Sequence, residues 1–181
     1  MKRLALLTPV LVVALASPAA AATSVKRYNA WTDDGEPTIA RWFHGSGECT
    51  RASLVDPRDD AWRCTSGNIV LDPCFQSPTD DEVLCLTAPW TRQGHLLSAT
   101  LDGEEHGKSP APGPWALRVG RRRCTYIPGR AKRGRKPTYR CGKRAFLFGK
   151  PKQRRPTWTI KLARNKRGRG ARRAKVRVAW T

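Results

Sequence analysis

The sequence lacks the short motifs that mark several large classes of enzyme. It contains no Gly-x-Ser-x-Gly nucleophile elbow, no His-Glu-x-x-His zinc motif and no phosphate-binding loop. It also contains no Cys-x-x-Cys pair, and its three histidines are scattered, which disfavours a structural zinc site. We therefore expect no cofactor and no bound metal, assign no catalytic residue, and favour a protein that binds over one that catalyses.

Acidic residues are absent from the last part of the chain. All fourteen Asp and Glu lie at or before Glu105, whereas residues 107–181 carry 26 Lys and Arg and no acid. Residues 23–106 hold seven basic residues, so this part has a net charge of −7 and the later part +26. Such an asymmetry, in a chain of formal net charge +21, indicates an anionic partner.

Long apolar runs are also absent, except at the start. Lys2 and Arg3 precede an uncharged run over residues 4–16, and small residues follow up to Ala22. A basic start, a short apolar run and an Ala-x-Ala exit are typical of a secretory signal peptide, and the run is shorter than the roughly 20 residues of a membrane-spanning helix. We predict a signal peptide over residues 1–22 and a secreted protein with no integral membrane insertion. This protein is either free outside the cell or associated with the cell wall.

The chain has six cysteines, all of them after the predicted signal peptide. An even number in an exported chain predicts three disulfides. Among the possible pairings we favour neighbours in the sequence, which gives Cys49–Cys64, Cys74–Cys85 and Cys124–Cys141.

Apolar and polar residues alternate in three segments of the basic part, at residues 115–119, 157–163 and 175–180. A period of two predicts strands with one buried face. The last two segments, joined by a Gly-containing stretch, predict a terminal hairpin on which Lys161, Lys175 and Arg177 share one face. The acidic part is less regular, and we predict strands at residues 69–71, ended by Asp72 and Pro73, and at residues 96–101.

These features predict a mainly β fold: a single small disulfide-stabilised β domain, sandwich-like or barrel-like, that ends in a β-hairpin. We place this domain at residues 45–181, with an acidic part to about residue 106 and a strongly basic part over 107–181. Residues 23–44 are expected to form an N-terminal extension.

The motif DAWRCTSGNIVLDPCF over residues 60–75 is followed by VLC at 83–85, PWA at 114–116 and a closing AW at 179–180. In this order of motifs the chain resembles a group of small exported proteins of actinobacterial type. The resemblance covers most of the chain after about residue 45, and it implies the fold and export but no activity. The basic part of this chain is more charged than the group pattern leads one to expect.

The leading hypothesis is a secreted, non-enzymatic protein that binds an anionic polymer, either a cell-envelope polymer, an acidic polysaccharide or extracellular nucleic acid. A hydrolase of such a polymer, using a histidine such as His95 or His106, and a protein-binding inhibitor module remain as alternatives. The acidic part masks the basic surface if it folds back onto it. The residues expected to contact the polymer are Arg121, Arg122, Arg123, Lys132, Arg133, Arg135, Lys136, Lys161, Arg167, Arg169, Arg172, Arg173, Lys175 and Arg177.

Overall fold

A computed structural model of the chain describes residues 21–101, 113–127 and 136–181. Regular structure in these ranges consists of β-strands, and no helix in them is long and apolar enough to cross a membrane. The twelve strands are β1 (Ser24–Lys26), β2 (Arg41–Ala52), β3 (Ala61–Ser66), β4 (Ile69–Gln76), β5 (Glu82–Cys85), β6 (Gln93–Leu101), β7 (Ala116–Val119), β8 (Arg122–Tyr126), β9 (Tyr139–Cys141), β10 (Ala145–Lys152), β11 (Thr159–Ala163) and β12 (Arg172–Trp180). The predicted mainly β class is confirmed, and the predicted signal peptide lies almost wholly outside the described residues.

The acidic part forms the first barrel, in which β2 to β6 follow one another as an antiparallel meander. The meander closes because β6 pairs with β2, and this pair is parallel, from Arg41 opposite Gln93 to Cys49 opposite Leu101. A meander of five strands can close only in this way, since its first and last strands run in the same direction. The interior holds a cluster of buried side chains that includes Trp62, Val83 and Leu97.

The basic part forms the second barrel, in which β7 to β12 follow in order and β12 returns to pair with β7. The predicted terminal hairpin is present as the antiparallel pair of β11 and β12. The inward-facing positions of the second barrel carry apolar side chains such as Leu117, Leu147, Ile160 and Val176, each 3% exposed or less. Alternation along β7, β11 and β12 thus fills most of the barrel with apolar groups and turns Arg118, Lys161, Arg173 and Lys175 outward.

One apolar cluster joins the two barrels. Phe75 and Leu84 lie opposite each other on β4 and β5, and they face the second barrel because the neighbouring pair, Cys74 and Cys85, occupies the interior of the first. The ring of Trp115 lies 5.8 Å from that of Phe75, and Tyr28 contacts both rings. β5 and the second half of β4 are therefore buried on both faces, and the two barrels share a core as parts of one folded unit.

Each disulfide links two adjacent antiparallel strands. The three bonds are Cys49–Cys64, Cys74–Cys85 and Cys124–Cys141, the neighbour pairings expected from the sequence. The first two lie side by side, so that the sulfur atoms of Cys64, Cys74 and Cys85 are within 4.8 Å of one another. All six cysteines are bonded in pairs and none is a free thiol.

Two expectations from the sequence differ from the structure. The strand expected to stop before Asp72 continues to Gln76, because an irregularity in its pairing with β3 falls at Asp72 and Pro73 and accommodates a residue without an N–H group. The segment expected as an N-terminal extension is built into the fold. It supplies β1, which pairs in parallel with β12, and the first residues of β2, so residue 44 is not a structural boundary.

Gly94 supports the closure of the first barrel. A Cβ atom at this position would lie 2.8 Å from the carbonyl oxygen of Cys85 and 2.9 Å from Ile39. We expect Gly94→Ala to lower the free energy of unfolding by about 1–3 kcal/mol, because backbone must shift to admit the methyl group. Ser98→Ala, at an exposed position of the same strand, is the control and should change stability by less than about 0.5 kcal/mol in urea unfolding. Equal effects of the two substitutions would contradict this role of Gly94.

Candidate anion-binding surface

Every Lys and Arg that the structure describes in the second barrel and its connections is exposed. Among the residues expected to contact a polymer, eleven fall in the described ranges, namely Arg121, Arg122, Arg123, Lys136, Lys161, Arg167, Arg169, Arg172, Arg173, Lys175 and Arg177. The remaining three, Lys132, Arg133 and Arg135, lie outside the described residues.

The strand register brings positive charges face to face on the outer surface. Arg118 of β7 lies directly opposite Arg123 of β8, and Lys161 of β11 lies opposite Arg173 of β12. Like charges at directly opposed positions destabilise a sheet, because the side chains are within a few ångströms of each other. Lys175 lies opposite Thr159 on the same face, which extends this row of cations along the terminal hairpin.

One end of the second barrel collects three basic connections. The turn between β7 and β8 carries Arg121, the turn between β9 and β10 carries Lys143 and Arg144, and the long connection 164–171 joins β11 to β12. Lys143 and Arg144 were not among the residues expected from the sequence. They are far from the others along the chain, and only the antiparallel order of the strands brings their turn to this end.

The acidic part does not neutralise these cations through ion pairs. Across residues 113–127 and 136–181, no Lys or Arg lies within salt-bridge distance of a carboxylate, and the Arg58–Asp60 bridge at 2.9 Å lies within the first barrel. The barrels meet instead through aromatic side chains, including a Trp90–Trp180 contact of 5.4 Å between ring centroids. For the described residues, the basic surface is accessible.

His44 and His95, the two histidines in the described part of the chain, do not form a catalytic pair. His44 lies opposite Leu96 and His95 opposite Phe43 in the β2–β6 pair, so the two imidazoles point to opposite faces. The indole of Trp42 donates a hydrogen bond of 2.9 Å to Nε2 of His44, and His95 contacts the ring of Phe43. His106, the other histidine considered for a hydrolase, lies outside the described residues.

Two carboxyl groups, the buried Asp56 and the half-buried Asp72, lie near the junction of the barrels. Asp56 is fully buried, its Oδ1 accepts a hydrogen bond from the Arg58 N–H, and no donor among the described residues reaches its Oδ2. Asp72 accepts hydrogen bonds from the Ser53 hydroxyl and the Leu54 N–H. Burial raises the pKa of both carboxyl groups above the usual range of aspartate. Their partners are groups of the loop that follows β2, so they hold this loop in place.

The raised pKa of Asp56 predicts a pH-dependent stability. The folded state holds this proton more tightly than the unfolded state, so the stabilisation is complete below about pH 4 and is lost as the pH rises through the raised folded-state pKa. Asp56→Asn, which stays neutral, should therefore gain stability relative to the wild type between pH 3 and pH 7 in urea unfolding. Asp59→Asn, at an exposed position of the same loop, is the control. A difference between Asp56→Asn and wild type that is constant with pH would contradict the assignment.

Replacing Asp72 with asparagine should destabilise the protein, unlike the same substitution at Asp56. Both oxygens of this carboxyl group accept hydrogen bonds, and an asparagine would set its own N–H donors against one of these partners. We expect Asp72→Asn to lower the free energy of unfolding by about 1–3 kcal/mol at neutral pH, measured by urea unfolding. A variant as stable as the wild type would show that the hydrogen bonds from Ser53 and Leu54 carry little of the stability of the loop.

Comparisons with known proteins yield no relative of this chain: no protein-family model, no curated protein and no solved structure matches it. The features of the molecule that bear on its function are the exposed cations of the second barrel, their register and the absence of carboxylate partners among the described residues.

Proposed function

We propose that this protein is exported and that it binds an anionic polymer through the basic outer surface of the second barrel, without catalysing a reaction. The observation that carries the proposal is the direct opposition of Arg118 to Arg123 and of Lys161 to Arg173, all exposed and none in a salt bridge with a described carboxylate. A surface suited only to solubility has charges of both signs interspersed. Opposed like charges are relieved when a polyanion lies along them and releases its counterions.

Export is part of this proposal. The predicted signal peptide over residues 1–22 supports it, and so do the three disulfides, which persist in oxidising compartments outside the cytosol. The motif order shared with small exported proteins of actinobacterial type supports the same address. A secreted protein, free or held at the cell wall by its charges, would meet wall polymers, acidic polysaccharides and extracellular nucleic acid.

A protein-binding module is the second candidate, and a separate feature favours it. Phe43 is 60% exposed on the first barrel, next to the half-buried Trp42, and both line a shallow cleft together with Arg41 and Gln93. An exposed aromatic group beside a cleft is typical of contact surfaces between proteins. Binding through this patch would depend little on salt, which separates it from binding through the second barrel.

Salt-dependent retention of the oxidised mature protein on heparin, DNA and washed cell wall tests the leading proposal. We expect elution above physiological salt from at least one matrix. On DNA, the double variant Lys161→Gln/Arg173→Gln should reduce the slope of log affinity against log salt by about 0.9 for each phosphate that is no longer neutralised. The control is Arg41→Gln/Arg92→Gln, which removes the same charge from exposed positions of the first barrel.

Elution of the wild type at low salt from all three matrices would overturn the proposal and favour the second candidate, a protein-binding module. Equal slopes for the two double variants would show that net charge matters and the surface of the second barrel does not. Turnover of a wall polymer or nucleic acid that disappears with His44→Ala or His95→Ala would instead support the hydrolase alternative.

A further inference from the structure

The basic end of the second barrel contains a depression of about 300 Å³. Four arginines line it, Arg122, Arg164, Arg169 and Arg172, and its floor includes the apolar side chains of Ala145 and Leu162. None of the described residues that line it is acidic. A concave site with an apolar floor and several converging polar groups is the usual form of a small-ligand site.

Two of these arginines occupy the last inward-facing positions of the barrel. Arg122 lies opposite Val119, and Arg172 lies opposite Leu162, and both of these partners are buried in the barrel core. Elsewhere in the second barrel, the inward-facing positions carry apolar side chains. Here the barrel opens, and the guanidinium groups therefore stand around its mouth, where an anion can reach them from solvent.

The other two arginines belong to the connection 164–171, which is held in one conformation. The side chain of Asn165 accepts hydrogen bonds from the N–H groups of Arg167 and Arg169, both at 3.1 Å, and donates one to the carbonyl of Arg169. Gly168 has a φ of 72° and lies against the buried ring of Phe148, which a Cβ atom there would approach to 3.2 Å. The loop is thus anchored before any ligand arrives, and a pre-organised site loses less entropy on binding.

We propose that this arginine-lined mouth binds a phosphate group, best as a phosphomonoester dianion. Guanidinium groups form paired, charge-assisted hydrogen bonds with phosphate oxygens. A tetrahedral anion can accept from several arginines that approach from different directions, whereas a planar carboxylate offers only two oxygens in one plane. This inference rests on the proposed function in that the phosphate would be a terminal phosphomonoester of the bound polymer, because the diester phosphates within such a chain carry only one charge.

Calorimetric titration of the oxidised mature protein with glycerol phosphate tests the pocket directly, with sulfate and acetate as the competing anion classes. We expect glycerol phosphate to bind more tightly than sulfate, and acetate to bind most weakly. The affinity for glycerol phosphate should fall as the pH drops below about 6, because the phosphomonoester then loses its second charge. Sulfate binding as tight as glycerol phosphate at pH 7.5 would overturn the assignment to phosphate.

The double variant Arg164→Gln/Arg169→Gln should weaken glycerol phosphate binding by more than about tenfold, since it removes two donors of charge-assisted hydrogen bonds. Its matched control is Arg154→Gln/Arg155→Gln, which removes the same charge from the connection before β11, at the opposite end of that strand from the pocket. The control should keep its affinity within about twofold. Equal reductions in affinity would show that net charge, and not the pocket, attracts the anion.

Asn165→Ala tests the geometry without changing the charge. We expect weaker glycerol phosphate binding together with nearly unchanged retention on heparin, because all the cations remain and only the loop that positions Arg169 is released. Unchanged glycerol phosphate binding would overturn the role of the loop. A near-ultraviolet circular dichroism spectrum like that of the wild type confirms that this variant is folded.

The pocket and the polymer-binding proposal fail in different ways. If the wild type elutes from all matrices at low salt yet binds glycerol phosphate through the pocket arginines, the polymer proposal fails and the pocket stands. If the protein is retained at high salt but the two arginine double variants bind glycerol phosphate equally, the pocket fails and the polymer proposal stands.

Discussion

The pairing of β12 with β7 is the contact on which the arrangement of the basic half depends. It turns a row of six strands into a ring, so that each strand has an inside and an outside. A chain segment with so many cations can fold only if its apolar side chains are removed from water while its charges stay hydrated. Closure achieves both, because the inner row is apolar except at the mouth, where Arg122 and Arg172 reach solvent, and the other basic residues of these strands point outward. The mouth of the barrel, with its arginines, exists only because the ring is closed.

The junction between the barrels explains why the described acidic and basic residues form no ion pairs across it. Phe75, Trp115 and Tyr28 meet there, together with the edge contact of Trp90 and Trp180, so the contact is made by aromatic surface. Two cations approach this contact through its aromatic rings: Arg58 lies over Phe75 at 4.5 Å, and Arg123 lies over Trp90 at 5.7 Å. Surface ion pairs contribute little to stability, whereas buried aromatic side chains contribute much. The first barrel therefore packs against the second through aromatic side chains, and the described cations of the second barrel remain accessible to a partner.

Several strands could be predicted from the pattern of residues, and others could not, for a physical reason. In β7, β11 and β12 one face is buried and the other is solvated, so apolar and polar residues alternate visibly. In β5 all of Val83, Leu84 and Cys85 are buried, because one face lines the first barrel and the other faces the second. A strand buried on both faces has no alternation to detect. The long β2, with its glycines and exposed residues, shows no periodicity either, since its position is set by its parallel pairing with β6.

The mainly β class, the number of disulfides and the location of the charge could be predicted from the sequence, because each depends on composition and on short-range order along the chain. The neighbour pairing of the cysteines was one preference among fifteen possible pairings, and the strand register established it. Three features could not be predicted and are seen in the folded chain: its closure into two barrels with a shared core, the position of Arg118 opposite Arg123, and the meeting of Arg122 and Arg172 with Arg164 and Arg169 at one mouth. These features depend on register and closure, which relate residues far apart in sequence. A cluster of cations can be counted from the sequence, but whether it surrounds a cavity depends on which strands become neighbours.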